Sequence, residues 1–178
     1  MQSLRTLSVA IACMLLAVPL NAQKEKREPL TGQQIEAIRE AGIDPNERIK
    51  LYTKFIDEHA EVIKGLTNRV HSSARSKRLD DELQDFTALM DELGSNLDVY
   101  SDRKTDIRKA LKPLNEAVPR WLGMLRALAG EPGFDLARKE AIESGEDLEG
   151  DVKRMVAEQT EYFKLHKDEQ GQDRAEPK

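Results

Sequence analysis

The sequence predicts an all-α fold: an antiparallel bundle of four long amphipathic helices, preceded by a short N-terminal helix. Three observations predict it. From Ile49 to Phe163 apolar residues recur mostly at three- and four-residue spacing, the period of one helical face. Start and stop signals cut that pattern into helical lengths. No run alternates apolar and polar residues at period two, as a half-buried strand would.

Residues 1–22 read as a cleaved signal peptide. Arg5 precedes the apolar run Leu7–Leu20, and Leu20-Asn21-Ala22 offers a small-residue cleavage site. The run is 14 residues, shorter than the roughly 18–20 a permanent span requires. The expected product starts at Gln23 and is periplasmic or secreted, with no stable membrane insertion once the signal is removed. The single cysteine, Cys13, leaves with the signal, which excludes disulfides, thiolate metal sites and a cysteine nucleophile from the mature chain. Without Cys-x-x-Cys-His there is no covalent haem attachment. The remaining 27 Lys and Arg against 33 Asp and Glu leave a net charge of −6, so nucleic acid is not an expected partner.

Residues 23–30, QKEKREPL, are charged and carry Pro29, the composition of a linker. Thr31-Gly32-Gln33-Gln34 is a capping box that opens a short helix through Ile35 and Ile38, ended by Gly42. Asp44-Pro45-Asn46-Glu47 starts the first long helix with an N-cap, a proline at the first helical position and an acid in the first turn. Its stripe runs Ile49, Tyr52, Phe55/Ile56, Val62/Ile63, Leu66 and Val70, with His59 on it, and the polar stretch His71–Arg78 breaks the phase.

From Leu79 the stripe is strict: Leu83, Phe86, Met90, Leu93, Leu97, Tyr100, then in unchanged register Ile107, Leu111, Leu114, Val118, Trp121, Leu125 and Leu128. Unbroken register favours one central helix of about 75 Å at 1.5 Å per residue, kinked at Pro113 and Pro119, which gives a three-helix alternative. Charge favours a hairpin turning at Ser101–Asp106. Residues 80–102 hold eight acids and no base, whereas residues 103–126 hold seven bases and two acids. The flanking segments continue the alternation, with seven bases and five acids over 44–77 and six bases and eleven acids over 134–169. In an up-down-up-down bundle each helix would then face opposite charge on its sequence neighbour.

Gly130-Glu131-Pro132-Gly133 stops the third long helix. The last places Phe134, Ala141, Leu148, Met155 and Tyr162 at sevenfold spacing. Gly145 lies on that seam and suits close helix approach, unlike Gly94 and Gly150. One helical domain is thus expected over 31–166, followed by a disordered tail over 167–178 that lacks large apolar residues.

Catalytic and metal signatures are sparse. His59 lies on an apolar stripe beside Asp57, Glu58 and Glu61 and is the candidate metal ligand. Those acids point to the outer faces, and the residues three before His59, His71 and His166 are Ile56, Asn68 and Phe163. None forms the Glu-x-x-His pair of carboxylate-bridged metal bundles, so His59 reads first as a core-edge histidine. Asp80, Asp81, Glu82 and Asp85 read as a solvated face, lacking the glycine turn and oxygen spacing of a calcium loop. Arg103, Lys104, Arg108, Lys109 and Lys112 read as the complement of the acidic helix, and Trp121 as core. No phosphate loop, serine elbow or carboxylate cleft is legible, so neither catalysis nor a cofactor is expected.

Leu30-Thr31-Gly32-Gln33-Gln34 resembles the LTxxQ motif of small periplasmic Spy-type stress chaperones, which are also helical and secreted. The resemblance covers five residues. Members carry a second copy, whereas here the only other Leu-Thr pair, Leu66-Thr67, continues Asn-Arg-Val. The expected function is a non-catalytic module that binds another protein or itself, chaperone-like in one form. The alternative is a small-ligand or metal carrier with its site in the bundle interior.

Overall fold

A computed structural model describes residues 28–171. The expected signal peptide and cleavage site lie outside them, as do residues 172–178. Among the described residues all regular structure is helical. The helices are α1 (Gly32–Glu40), α2 (Pro45–Thr67), α3 (Ser73–Asp102), α4 (Arg108–Ala127) and α5 (Asp135–Leu165), followed by a 3-10 turn, Lys167–Glu169. None is long and apolar enough to cross a membrane.

Each helix starts where its first residues satisfy otherwise unpaired amides. Thr31 and Gln34 form the reciprocal capping box of α1, and Gly42 adopts a positive φ of 57° just beyond its end. The Asp44 carboxylate accepts from the amides of Asn46 and Glu47 at 2.9 and 3.2 Å. Ser72 caps α3, accepting from the Arg75 amide at 3.2 Å, so α3 begins six residues ahead of its strict stripe at Leu79. The first turn of α4 is capped from another helix, with the Ala110 amide donating to the Asn46 side chain of α2 at 3.1 Å.

The 79–128 stripe is two helices. α3 ends at Asp102 and α4 starts at Arg108, which corrects the long central helix. Lys104, at φ 53°, turns the chain in the left-handed region where glycine is the usual choice. α4 runs through Pro113 and Pro119 without interruption, both on its exposed side.

Helix α2 packs on α3 and α4, α5 packs on the same two, and α1 rests on α2. Helices α3 and α4 do not lie side by side; they meet in the middle, where Phe86 stands edge-on to Trp121 with ring centroids 6.0 Å apart. The expectation that every sequence neighbour faces opposite charge therefore holds for α4/α5 and fails for α3/α4, while α2 within its observed bounds carries four bases and four acids and has no net sign. Acidic α3 packs beside acidic α5, and α2, with no net charge, packs beside both acidic α3 and basic α4. Exposed charges are screened and contribute little each, so the burial of the stripes decides the pairing.

The stripe residues of α3 and α4 from Leu79 to Leu97 and from Ile107 to Leu125 are 0–2 % exposed. In α5 the Cβ of any larger residue at 145 would lie 2.9 Å from Leu122 Cδ2, so Gly145 permits the approach of α4. At Gly150 a Cβ would meet nothing within 4 Å. Gly150→Ala should therefore raise stability by up to about 1 kcal/mol through helix propensity. Gly145→Val should lower it by about 1–3 kcal/mol through overpacking. Urea titration of both variants checks the opposite signs.

Two boundaries differ from expectation. Leu30, placed in the linker, is 7 % exposed and joins the core. The tail expected to be disordered from Lys167 begins with the 3-10 turn. The Gln170 side chain donates to the Phe163 carbonyl at 2.8 Å, and the Gly171 amide donates to Asp106 at 3.2 Å. Polar bonds rather than apolar contacts hold this stretch, so hydropathy does not reveal it.

Candidate functional site

His59 lies on the flank of α2 that faces α3, with its side chain 15 % exposed. Opposite it α3 presents Glu82 and Asp85, 8 % and 5 % exposed. One donor atom from each of the three lies within 4.8 Å of the others. His59 Nδ1 is 3.0 Å from Glu82 Oε2, and Nε2 is 3.2 Å from the Pro29 carbonyl oxygen. A carbonyl only accepts, so Nε2 is the ring nitrogen that donates to Pro29, and Nδ1 faces Glu82.

The segment that brings Pro29 here is anchored twice. Leu30 enters the core, and Thr31 begins the α1 capping box. The Gln34 amide then donates to Glu58 of α2 at 2.9 Å, while Ile38 packs inward at 8 % exposure. Together segment 28–31, α2 and α3 enclose an open pocket of about 330 Å³. Glu28, Glu58, Glu82 and Asp85 line it with His59, and no lysine or arginine is among the described residues that do.

Glu82 and Asp85 correct the reading of those acids as an outer face. Asp80 and Asp81 fit it better, bonding Gln84 and Lys77 on their own helix. A helix with two packed neighbours buries a wider arc than one narrow stripe. Glu82 and Asp85 stand three apart on the α2-facing flank, next to Leu79, Phe86 and Leu89. Leu89, adjacent to stripe residue Met90, was the available signal that this flank is inside.

The other histidines are elsewhere. Exposed His71 approaches Glu131 at 3.3 Å, and His166 stacks on Tyr162 with ring centroids 4.1 Å apart. Arg108 pairs with Asp106 at 2.8 Å and sits 4.6 Å from the Phe163 ring centroid. That hydrogen-bonded pairing holds the Asp106 carboxyl below its usual range. The basic cluster at the α3/α4 turn is thus partly spent on its own loop and α5, not on acidic α3. Trp121 is core, as expected, and donates its indole N–H to Asp57 at 2.7 Å. Tyr52 donates its hydroxyl to Glu92, and burial with that carboxylate raises its pKa.

A second surface feature lies between α2 and α4, a groove of about 610 Å³ lined by Lys50, Thr53, Lys54, Asp57, Glu58, Glu61 and Pro113. None of the protein families, curated proteins or solved structures compared with this chain matches it.

Proposed function

We propose that this protein is an extracytoplasmic module, a bundle of four long helices with a short N-terminal helix, that acts by binding rather than by catalysis. Its partner in this reading is a second copy of the chain. The observation that supports it is the order of charge along the α2/α4 groove. Lys50 and Lys54 lie toward the start of α2, and Asp57, Glu58 and Glu61 lie toward its end. A second copy turned by a two-fold axis sets its basic end against this acidic end, and the reverse, as an isologous interface requires. Thr53, the Pro113 ring and the lysine stems supply apolar surface between the charges.

Sedimentation velocity of the purified protein should show a dimer that weakens as salt rises, because rim charge pairs are screened. Reversing Lys50 and Lys54 to Glu in one chain, or Glu58 and Glu61 to Lys in another, should give monomers. Mixing the two should restore a heterodimer. A wild-type chain that stays monomeric at low salt and high concentration would sink self-association. The same variants, used as bait against the extracytoplasmic fraction, would then test for a different protein partner.

A further inference from the structure

Building on the self-association proposed above, we propose that the N-terminal element, segment 28–31 with α1, restrains the α2/α4 groove. The Gln34 side chain draws Glu58 away from the groove, and release of that hold tightens pairing with the second copy. Glu58 is placed to do this. Among the described residues it alone lines both the α2/α4 groove and the pocket under segment 28–31. Its Oε2 accepts from Gln34 Nε2 at 2.9 Å, while its Oε1 lies 3.8 Å from Lys54 of its own helix. One carboxylate thus serves α1 and the acidic half of the groove at once, and α1 holds it more closely.

The direction of the Gln34 amide is fixed by the cap of its own helix. Its Oε1 accepts from the Thr31 amide at 2.8 Å and from the Thr31 hydroxyl at 3.0 Å, within the α1 capping box. With the carbonyl side of the amide occupied there, the NH2 side is left for Glu58. The residue that starts α1 is therefore also the residue that ties it to α2. A hydrogen bond to an ionised acceptor is roughly twice as strong as a neutral one. Glu58 is 49 % exposed, so the bond steers the carboxylate without burying it.

The element is also loosely enough attached to yield. α1 has 9 residues, fewer than the roughly 12–15 at which an isolated helix becomes even marginally stable. Among the described helices it packs on α2 alone. Leu30 and Ile38 are its buried anchors, while Ile35 stays 36 % exposed. Beyond its end, Gly42 at φ 57° and Ile43, exposed to solvent, leave the connection to α2 unpacked. In the paired state the lysines of the second copy compete with Gln34 for the oxygens of Glu58. Linkage then requires that pairing loosen α1 as much as α1 weakens pairing.

Gln34→Glu is the decisive variant, because glutamate keeps the capping box and sets a second carboxylate against Glu58. Exposed ion pairs shift an equilibrium by about 1.4–5-fold each, and the two-fold axis counts each change twice. The dimer dissociation constant, from sedimentation velocity at low salt, should therefore fall by about 2–30-fold. Gln33→Glu, which adds the same charge at an exposed neighbouring position of α1, should leave it unchanged. Hydrogen exchange at the α1 amides should quicken in Gln34→Glu, and also in the wild-type chain as rising concentration drives pairing. A wild-type chain that stays monomeric would take down self-association and its restraint together. A dimer that dissociates when Lys50 and Lys54 are reversed, yet responds to neither glutamine substitution or equally to both, would overturn the restraint alone.

Discussion

Trp121→Ala should destabilise the protein by about 3–5 kcal/mol, the range for deleting a large buried aromatic. Trp121 is 2 % exposed and closes the middle of the molecule, where its ring meets the edge of Phe86 at 6.0 Å. That contact joins α3 to α4, which do not otherwise pack side by side. No neighbouring backbone can slide in to fill the space, so the cavity should persist and keep the loss toward the upper part of the range. The indole N–H also donates to Asp57 at 2.7 Å, although Asp57 is 39 % exposed and water can replace that donor. Trp121→Phe should therefore lose much less, about 1 kcal/mol for the bond and some lost packing. Urea unfolding followed by circular dichroism measures both. A loss below 1 kcal/mol for Trp121→Ala would mean that the two helices are held apart from this contact.

The periodicity carries information about which side of each helix is apolar and little about which helix lies beside it. Leu79 to Leu97 and Ile107 to Leu125 were legible as a seam, because a 3-4 repeat has one geometric meaning. Thr31, Asp44 and Gly42 were legible as caps and a stop, because those roles depend on adjacent residues only. The packing of α3 on α5 was not legible. The only guide to pairing in the sequence was charge alternation, which favoured α3 beside α4, and screened surface charge is too weak to choose among arrangements that bury the same stripes. The histidine site failed for a related reason. His59 was visible on its stripe, but Glu82 and Asp85 matter through the flank they share with a different helix, and sequence spacing within α2 cannot report it. Asn46 shows the same limit at a smaller scale. It sits in a recognisable helix start, yet its side chain caps α4, donating to the Asp106 carbonyl at 2.9 Å and accepting from the Ala110 amide.

Gln159→Leu should destabilise the protein by about 2–6 kcal/mol, since it leaves two buried backbone groups unpaired at about 1–3 kcal/mol each. Gln159 is 6 % exposed and belongs to α5, among otherwise apolar seam residues. Its Oε1 accepts from the Ile107 amide at 3.1 Å, and its Nε2 donates to the Thr105 carbonyl at 2.7 Å. Thr105 and Ile107 are 6 % and 0 % exposed, so water does not readily replace either bond. This one amide therefore supplies the pairing that the α3/α4 connection lacks on its own. The connection contains neither glycine nor proline, and it places Lys104 at a positive φ, which an L side chain adopts only when its surroundings hold it there. Removing Gln159 should be felt first at this turn. Amide hydrogen exchange at Ile107 and Thr105 should accelerate by more than the global loss of stability accounts for, while exchange in the middle of α2 follows the global change. Uniform acceleration would mean that Gln159 stabilises the core generally. An unchanged urea midpoint would show that the turn is held by other contacts, with Asn46 and the Asp106–Arg108 pair next in line.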